Sequence, residues 1–358
     1  MASEQSIEKP ILVAVMGPTG SGKSSFINLA SDGNLPVSDE LVSCTSEIVL
    51  SNVFEIDGRR IVIIDTPGFD DTSKPDSEIL SMIASYLNES YKAGMTLSGL
   101  LFMHRISDTR MGGISRRNFR MFRKLCGDET LKNVLVVTTM WDSVTLQLGN
   151  ARETQLKSDD RFFKPVLDQG GAMVRHDNTR EGAQAILRRI LNNHPAPVRL
   201  QREMVDEGKK ITETGAADEL KREMAELVER YTKEIAQIKK EMEEALKDRD
   251  EASHRELEEV KNQLENELKR HEQDRNMLSD VYAAEKKKTE ETMARYMEEM
   301  KQERISREEA NKKIDTLQQA LLKSRDEAHE KECLLLKQQI AQLASNSRPP
   351  TIRICCIQ

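Results

Sequence analysis

Gly17-Pro18-Thr19-Gly20-Ser21-Gly22-Lys23-Ser24 has the spacing G-x-x-x-x-G-K-S/T, and each residue type in it has a chemical use. Glycines let backbone N–H groups turn around phosphate oxygens. The N-terminus of a following helix adds a positive dipole end. Lys23 would reach the β- and γ-phosphates, the Ser24 hydroxyl would ligate Mg²⁺, and Ser25 extends the nucleotide-binding set. Downstream, Asp65-Thr66-Pro67-Gly68 fits D-x-x-G. Asp65 would hold Mg²⁺, and the Gly68 N–H would contact a γ-phosphate, so that hydrolysis releases the loop. Between them lies the polar stretch 31–45, suited to a switch. Thr45 is the hydroxyl chosen to complete the Mg²⁺ shell; Ser38, Ser43 and Ser46 stand nearby.

The base is read further on. Guanine-specific switches carry N-K-x-D after a strand, and the Asp accepts from guanine N1–H and N2–H₂, a pair that adenine lacks. Here the run is Thr139-Met140-Trp141-Asp142. Asp142 stands where the base-reading Asp belongs. Thr139 and Met140 replace Asn and Lys, and Met can cover a base as the Lys stem does, without the charge. Trp141 reads as a core residue.

These residues need elements to position them. Residues 11–16 form a short apolar run, read as a buried strand leading into the glycine loop and a helix from Lys23. Residues 46–56 and 60–65 read as strands around Asp57-Gly58, a strong hairpin signal. Helical spacing marks 77–91, 115–126, 151–157 and 179–191. Apolar runs mark strands at 97–103, 133–138 and 171–174. Strands alternating with helices predict an α/β fold: a Ras-like P-loop G domain with a mostly parallel sheet.

The composition changes near residue 200. The stretch 194–215 holds Pro195, Pro197, Gly208 and Gly215 and reads as a linker. From 216 to 348 there is neither Gly nor Pro, and charged residues dominate. Apolar residues recur at three-and-four spacing (Leu220, Met224, Leu227; Leu257, Val260, Leu264; Ile314, Leu317, Leu321), with breaks near 248–254 and 285–292. A long α-helical coiled coil in several segments is predicted. One uninterrupted helix would span about 200 Å. The expected organisation is a flexible N-terminus at 1–9, the G domain at 10–193, the linker, the coiled coil at 216–345, and a flexible tail at 346–358.

Net charge is -7, and the basic runs, such as Lys286-Lys287-Lys288, are short. That is no nucleic-acid footprint. The 5 Cys show no metal or disulfide framework, no secretory leader opens the chain, and a cytoplasmic protein is expected. The last residues, Cys355-Cys356-Ile357-Gln358, fit C-a-a-X with Cys355 as the prenylated residue. One lipid supports only reversible binding. Transient, peripheral membrane contact is expected, strengthened if the coiled coil pairs two chains.

Together, residues 17–24, 65–68 and 170–178 resemble the immunity-associated nucleotide-binding GTPases, relatives of septins and of chloroplast outer-envelope import GTPases. The resemblance covers roughly residues 10–192. It implies binding of GTP and GDP with Mg²⁺, homo-oligomers that pair through the nucleotide face, and a base contact from Asn178. The family lacks the Gln that orients water after D-x-x-G, and Phe69 follows Gly68 here, so slow intrinsic hydrolysis is expected. His104, Arg105 and Arg110, beyond the strand at 97–103, are the candidates for stabilising transition-state charge. Two other readings stay open: a nucleotide-binding scaffold with little turnover, and a coiled-coil ATPase. Against the latter, no L-S-G-G-Q segment is present.

Overall fold

The computed structural model describes residues 10–36, 47–68, 74–108, 113–247, 251–325 and 330–346. Strand β1 (Ile11–Met16) is apolar and buried at every position. A strand buried on both faces belongs in the middle of a covered sheet. It lies there, parallel to β4 (Arg59–Asp65) on one side and β5 (Leu97–Arg105) on the other. Strands β6 (Val134–Thr139) and β7 (Ala172–Arg175) extend the sheet in parallel. On the far side, β2 (Val49–Leu50) and β3 (Phe54–Ile56) pair antiparallel with β4. The order is β2-β4-β1-β5-β6-β7, with β3 also on β4.

The Asp57-Gly58 turn takes the form the dipeptide favours. Both residues have positive φ, 52° and 76°, as a two-residue hairpin turn requires. The strand expected over 46–56 is broken. Val49 faces Asp65 and Leu50 faces Ile64, but Phe54 faces Ile61, so three residues oppose two and the register slips by one. Ser51 makes the bulge tolerable. Its N–H donates to Ile63 O at 2.8 Å, and its hydroxyl accepts from Ile63 N at 2.9 Å.

Alternate strand residues feed two cores. On one face Val13, Val15, Ile63 and Leu101 pack with α1 (Lys23–Ser31) and α6 (Arg180–Arg188) through Phe26, Ile27, Ala183 and Ile186. On the other, Leu12, Ala14, Ile64 and Phe102 pack with α2 (Asp76–Lys92), α3 (Gly113–Cys126) and α5 (Lys164–Asp168). Phe102, Phe119, Phe122 and Phe163 form an aromatic cluster there, with centroids 4.7–6.5 Å apart. Helix α4 (Leu146–Ser158) packs beside α5 and reaches β7 through the Glu153–Arg175 ion pair.

The stretch read as a linker is packed against this body. A short helix, α7 (Arg199–Gln201), follows buried Val198, and Leu200 and Ile211 are also buried. Gln201 donates from Nε2 to Leu87 O of α2 at 2.6 Å.

The helical region consists of α8 (Gly215–Lys247), α9 (Glu251–Arg325) and α10 (Glu330–Asn346). No break occurs at 285–292; α9 runs through it. Helices α8 and α9 pair antiparallel within the chain. Tyr231 hydrogen-bonds Glu267 at 2.8 Å and stacks on His271, and Lys239 reaches Glu265. Helix α8 starts against α3, where Arg120 pairs with buried Glu219. Helix α9 lies along α2: Ser77 donates to Asp274, and Asn88 reaches the Tyr282 hydroxyl at 3.2 Å. Further along, Lys288 pairs with Glu47, and Arg60 donates to both oxygens of Glu303 at 3.0–3.1 Å. Among the described residues no helix is long and apolar enough to cross a membrane.

Candidate nucleotide-binding site

The C-terminal ends of β1, β4, β5 and β6 converge on one edge, where ligands bind in such sheets. Leaving β1, the chain passes under β5 at Gly17, where a Cβ would meet Met103 O at 2.5 Å. Only glycine fits. Gly20 and Gly22 are left-handed, with φ 71° and 88°. The Ser21 hydroxyl closes the loop onto Pro18 O at 2.7 Å. Lys23 is buried and donates to Gly17 O at 2.9 Å and Pro18 O at 3.0 Å, folded over the cradle it would share with phosphates. Thr19 and Ser25 lie on the same loop and first helical turn.

Ser24 donates from Oγ to Asp65 Oδ2 at 2.6 Å. These are hard oxygen donors brought together from the loop and the end of β4. They fit Mg²⁺, which takes a hydroxyl and a carboxylate and keeps water in its other positions. Thr66 anchors the following loop through its hydroxyl to Val15 O at 2.8 Å, and Gly68 is buried beside it. Thr45, Phe69, Arg110 and Cys355 lie outside the described residues.

The loop expected to read the base follows β6. Thr139 donates from Oγ1 to Ser21 O at 3.0 Å, so its hydroxyl ties this loop to the phosphate loop. Met140 is left-handed (φ 58°) and 38% exposed, which leaves its side chain free to cover a base. Asp142 is exposed. Trp141, read as core, is half-buried and packs against the core that holds Phe102 and Phe163; its indole N–H donates to Thr138 O at 3.2 Å. From β7, His176 N–H donates to Thr138 O at 2.9 Å. Asn178 sits exposed at a left-handed apex, φ 59°. Asp177 beside it accepts from the Thr179 N–H and hydroxyl, and these bonds hold its carboxyl below the usual range.

The charge-stabilising candidates separate. His104 is buried against Phe163, ring centroids 5.3 Å apart. Burial, with the Arg105 charge adding to it, pushes its pKa down to about 4, so it is neutral. Arg105 stands at the cradle: a Cβ on Gly20 would meet its Nη1 at 3.1 Å. Asp108 holds its Nε at 3.0 Å. Two contributors escaped the sequence reading. Arg152 donates to Ile106 O and Ser107 O at 2.8 and 2.9 Å, fastening the loop after β5. Arg175 lies over Trp141. Neither falls in a motif, and no spacing in the sequence marks them.

The glycine loop at 17–24 at the end of β1 and the mostly parallel sheet make this an α/β P-loop fold. Residues 12–139 match the family model of the 50S ribosome-binding GTPases, which supports a GTPase domain over that segment. GTP-binding protein A of Dictyostelium discoideum is 31% identical over 147 residues, which is 40% of this chain. The matched part spans about a third (31%) of that relative's length. Among solved structures, Toc33 of Arabidopsis thaliana with GDP and Mg²⁺ is 20% identical, over 53% of this chain and 87% of that one, with a TM-score of 0.41. Era of Aquifex aeolicus bound to GDP and AlF4⁻ is 17% identical, over 53% and 58%, with a TM-score of 0.41.

Proposed function

We propose that this protein is a Mg²⁺-dependent GTP-binding switch that hydrolyses GTP slowly and pairs with further copies of itself. One observation carries the reading. The Thr139 hydroxyl on Ser21 O joins the loop that would hold phosphates to the loop that carries Asp142. The two halves of a nucleotide site are thereby held at a fixed separation. Bound Mg²⁺ would neutralise charge on the β- and γ-phosphates, with Ser24, Asp65 and Thr45 as its protein ligands. Lys23 would turn from its carbonyls to the phosphates. Asp142 would accept from the guanine edge, Met140 would cover the ring, and Asn178 would close the pocket. Arg105, not His104, is the residue we assign to transition-state charge, since a neutral buried imidazole supplies none.

The finer assignment, to the immunity-associated GTPases with pairing through the nucleotide face, rests on residues 17–24, 65–68 and 170–178. Prenylation at Cys355 belongs to the same reading. The test is one titration of the full chain with GDP, GTP and ADP, with and without Mg²⁺. Guanine nucleotides should bind in the micromolar range or tighter, Mg²⁺ should strengthen GTP, and Asp142→Ala should abolish the preference over ADP. Equal affinity for ADP and GDP in the unaltered protein would sink the guanine reading. Unchanged single-turnover hydrolysis in Arg105→Ala would remove Arg105 from the mechanism.

A further inference from the structure

The chain has 1 Trp, and it stands between Met140 and Asp142, the two residues assigned to the base. Its ring is held on three sides. The indole N–H donates to Thr138 Oγ1 at 3.0 Å. Gly149 of α4 lets the ring in close: a Cβ there would meet Cζ3 at 2.7 Å. Over the ring lies the Arg175 guanidinium, 4.1 Å from the centroid. Arg175 is fixed in turn. Its Nη2 donates to Asn150 Oδ1 at 2.9 Å, and its Nε lies 3.3 Å from Glu153 Oε1. Partial burial works to raise the Glu153 carboxyl, but hydrogen bonds from Arg175 and Lys157 and their charges outweigh it and hold it below its ordinary range. It stays an anion at neutral pH and keeps the guanidinium in place.

We propose that Arg175 is a positioning residue for base specificity, pinning Trp141 and through it the carboxylate of Asp142. The proposal rests on the guanine reading above. The need for it follows from what the loop lacks. Here the Thr139 side chain anchors one end on Ser21, while the Met140 side chain is exposed and its carbonyl accepts only within the same turn, from Ser143 N at 3.3 Å. The Thr138 and Gly149 contacts hold one edge and one side of the Trp141 ring; with its other face open, the ring and the residue after it could tilt, and a carboxylate displaced by an ångström loses a bidentate contact. The Trp141–Arg175 contact closes that face from the neighbouring strand. A guanidinium stacked on an indole suits this task, because it is planar and keeps its charge at all relevant pH.

The experiment uses the full chain with GDP and ADP as ligands and Trp141 fluorescence as a second signal. Arg175→Ala should lower the preference for GDP over ADP about tenfold, as expected for a partly desolvated cation–π contact. Affinity for ADP, which does not use Asp142, should hardly move. Trp141 emission should shift to the red and become open to acrylamide. Arg175→Lys keeps a cation over the ring but loses the planar face and the fork, and should restore part of the preference. Glu153→Gln, which loosens Arg175 without removing it, should fall between. Unchanged GDP preference in Arg175→Ala overturns the proposal, and so does an equal loss for GDP and ADP that Lys fails to rescue. Equal GDP and ADP binding by the unaltered protein is a different result, and it removes the guanine reading itself. In that case, unchanged Trp141 emission in Arg175→Ala would also refute the clamp.

Discussion

Helix α2 has two buried sides, and they are built differently. Toward the sheet it offers Ile79, Leu80, Ile83 and Leu87, which join the aromatic cluster around Phe102 in one apolar core. Toward α9 it offers Ser77, Ser81, Ser85 and Asn88, at near helical repeat and all at most 1% exposed. The Ser81 and Ser85 hydroxyls have no hydrogen-bond partner among the described residues, nor do the hydroxyls of Tyr86 and, on α9, Tyr296. Burial raises both phenols, Tyr296 to about 12. An apolar side chain gains free energy from burial, whereas a hydroxyl without a partner costs about 1–3 kcal/mol. The sheet side therefore holds the domain together. The α9 side mixes polar points and unpartnered hydroxyls with a smaller apolar contribution from Leu278, Met293 and Tyr296 of α9, which are buried in the same cluster.

Four substitutions would break or sharpen this contrast. Phe102→Ala opens a cavity among three other phenylalanines and should cost about 3–5 kcal/mol of global stability by denaturant titration. Glu303→Ala leaves Arg60 and Arg307 facing each other without their carboxylate. It should cost roughly 3 kcal/mol of docking, seen as faster hydrogen exchange in α2 and earlier proteolysis of α9, while the sheet amides stay protected. If the sheet unfolds with it, the two sides of α2 are one cooperative unit and the contrast fails.

Asp274 titrates between them. Burial raises its carboxyl to about 6; the hydrogen bond from Ser77 and the charges of Arg270 and Arg117 oppose this, and Glu78 adds to it. A carboxyl raised above its ordinary value of about 3.9 binds its proton more tightly when docked. Docking is then strongest below about pH 4 and weakens as pH rises through about 6. Asp274→Asn should abolish that dependence and tighten docking near neutral pH by about 2 kcal/mol, measured as α2 exchange against pH. The smallest effect is expected from Ser85→Ala, which removes an unpaired hydroxyl. It should be neutral or stabilising by under about 1 kcal/mol, where the same change at a hydrogen-bonded serine such as Ser51 should destabilise.

What the sequence revealed tracks the range of the interactions. The β1–loop–α1 unit and the Asp57-Gly58 hairpin are legible because each depends on residues a few positions apart. The Ser24–Asp65 meeting is legible because two local motifs fix it. The bulge at Ser51 is not, since a serine inside an apolar alternation reads as an ordinary outward residue. The α8–α9–α2 stack is not either. Three-and-four spacing states that a helix has an apolar stripe, not what covers it, and the serines of α2 carry no signal of a partner some 200 residues away. The Trp141–Arg175 clamp joins β6 to β7 and is visible only once the strands are side by side.

Helix α9 has 75 residues, hence a length of about 110 Å, while a body the size of the G domain has a radius of gyration near 16 Å. The helix overhangs what it rests on. A particle of that outline drags far more solvent than a sphere of equal mass. On a sizing column, one 40.7 kDa chain should elute as if it were markedly heavier, and a single copy would pass for a pair. Light scattering weighs the particle without reference to its outline, and a disagreement between the two methods would record the overhang.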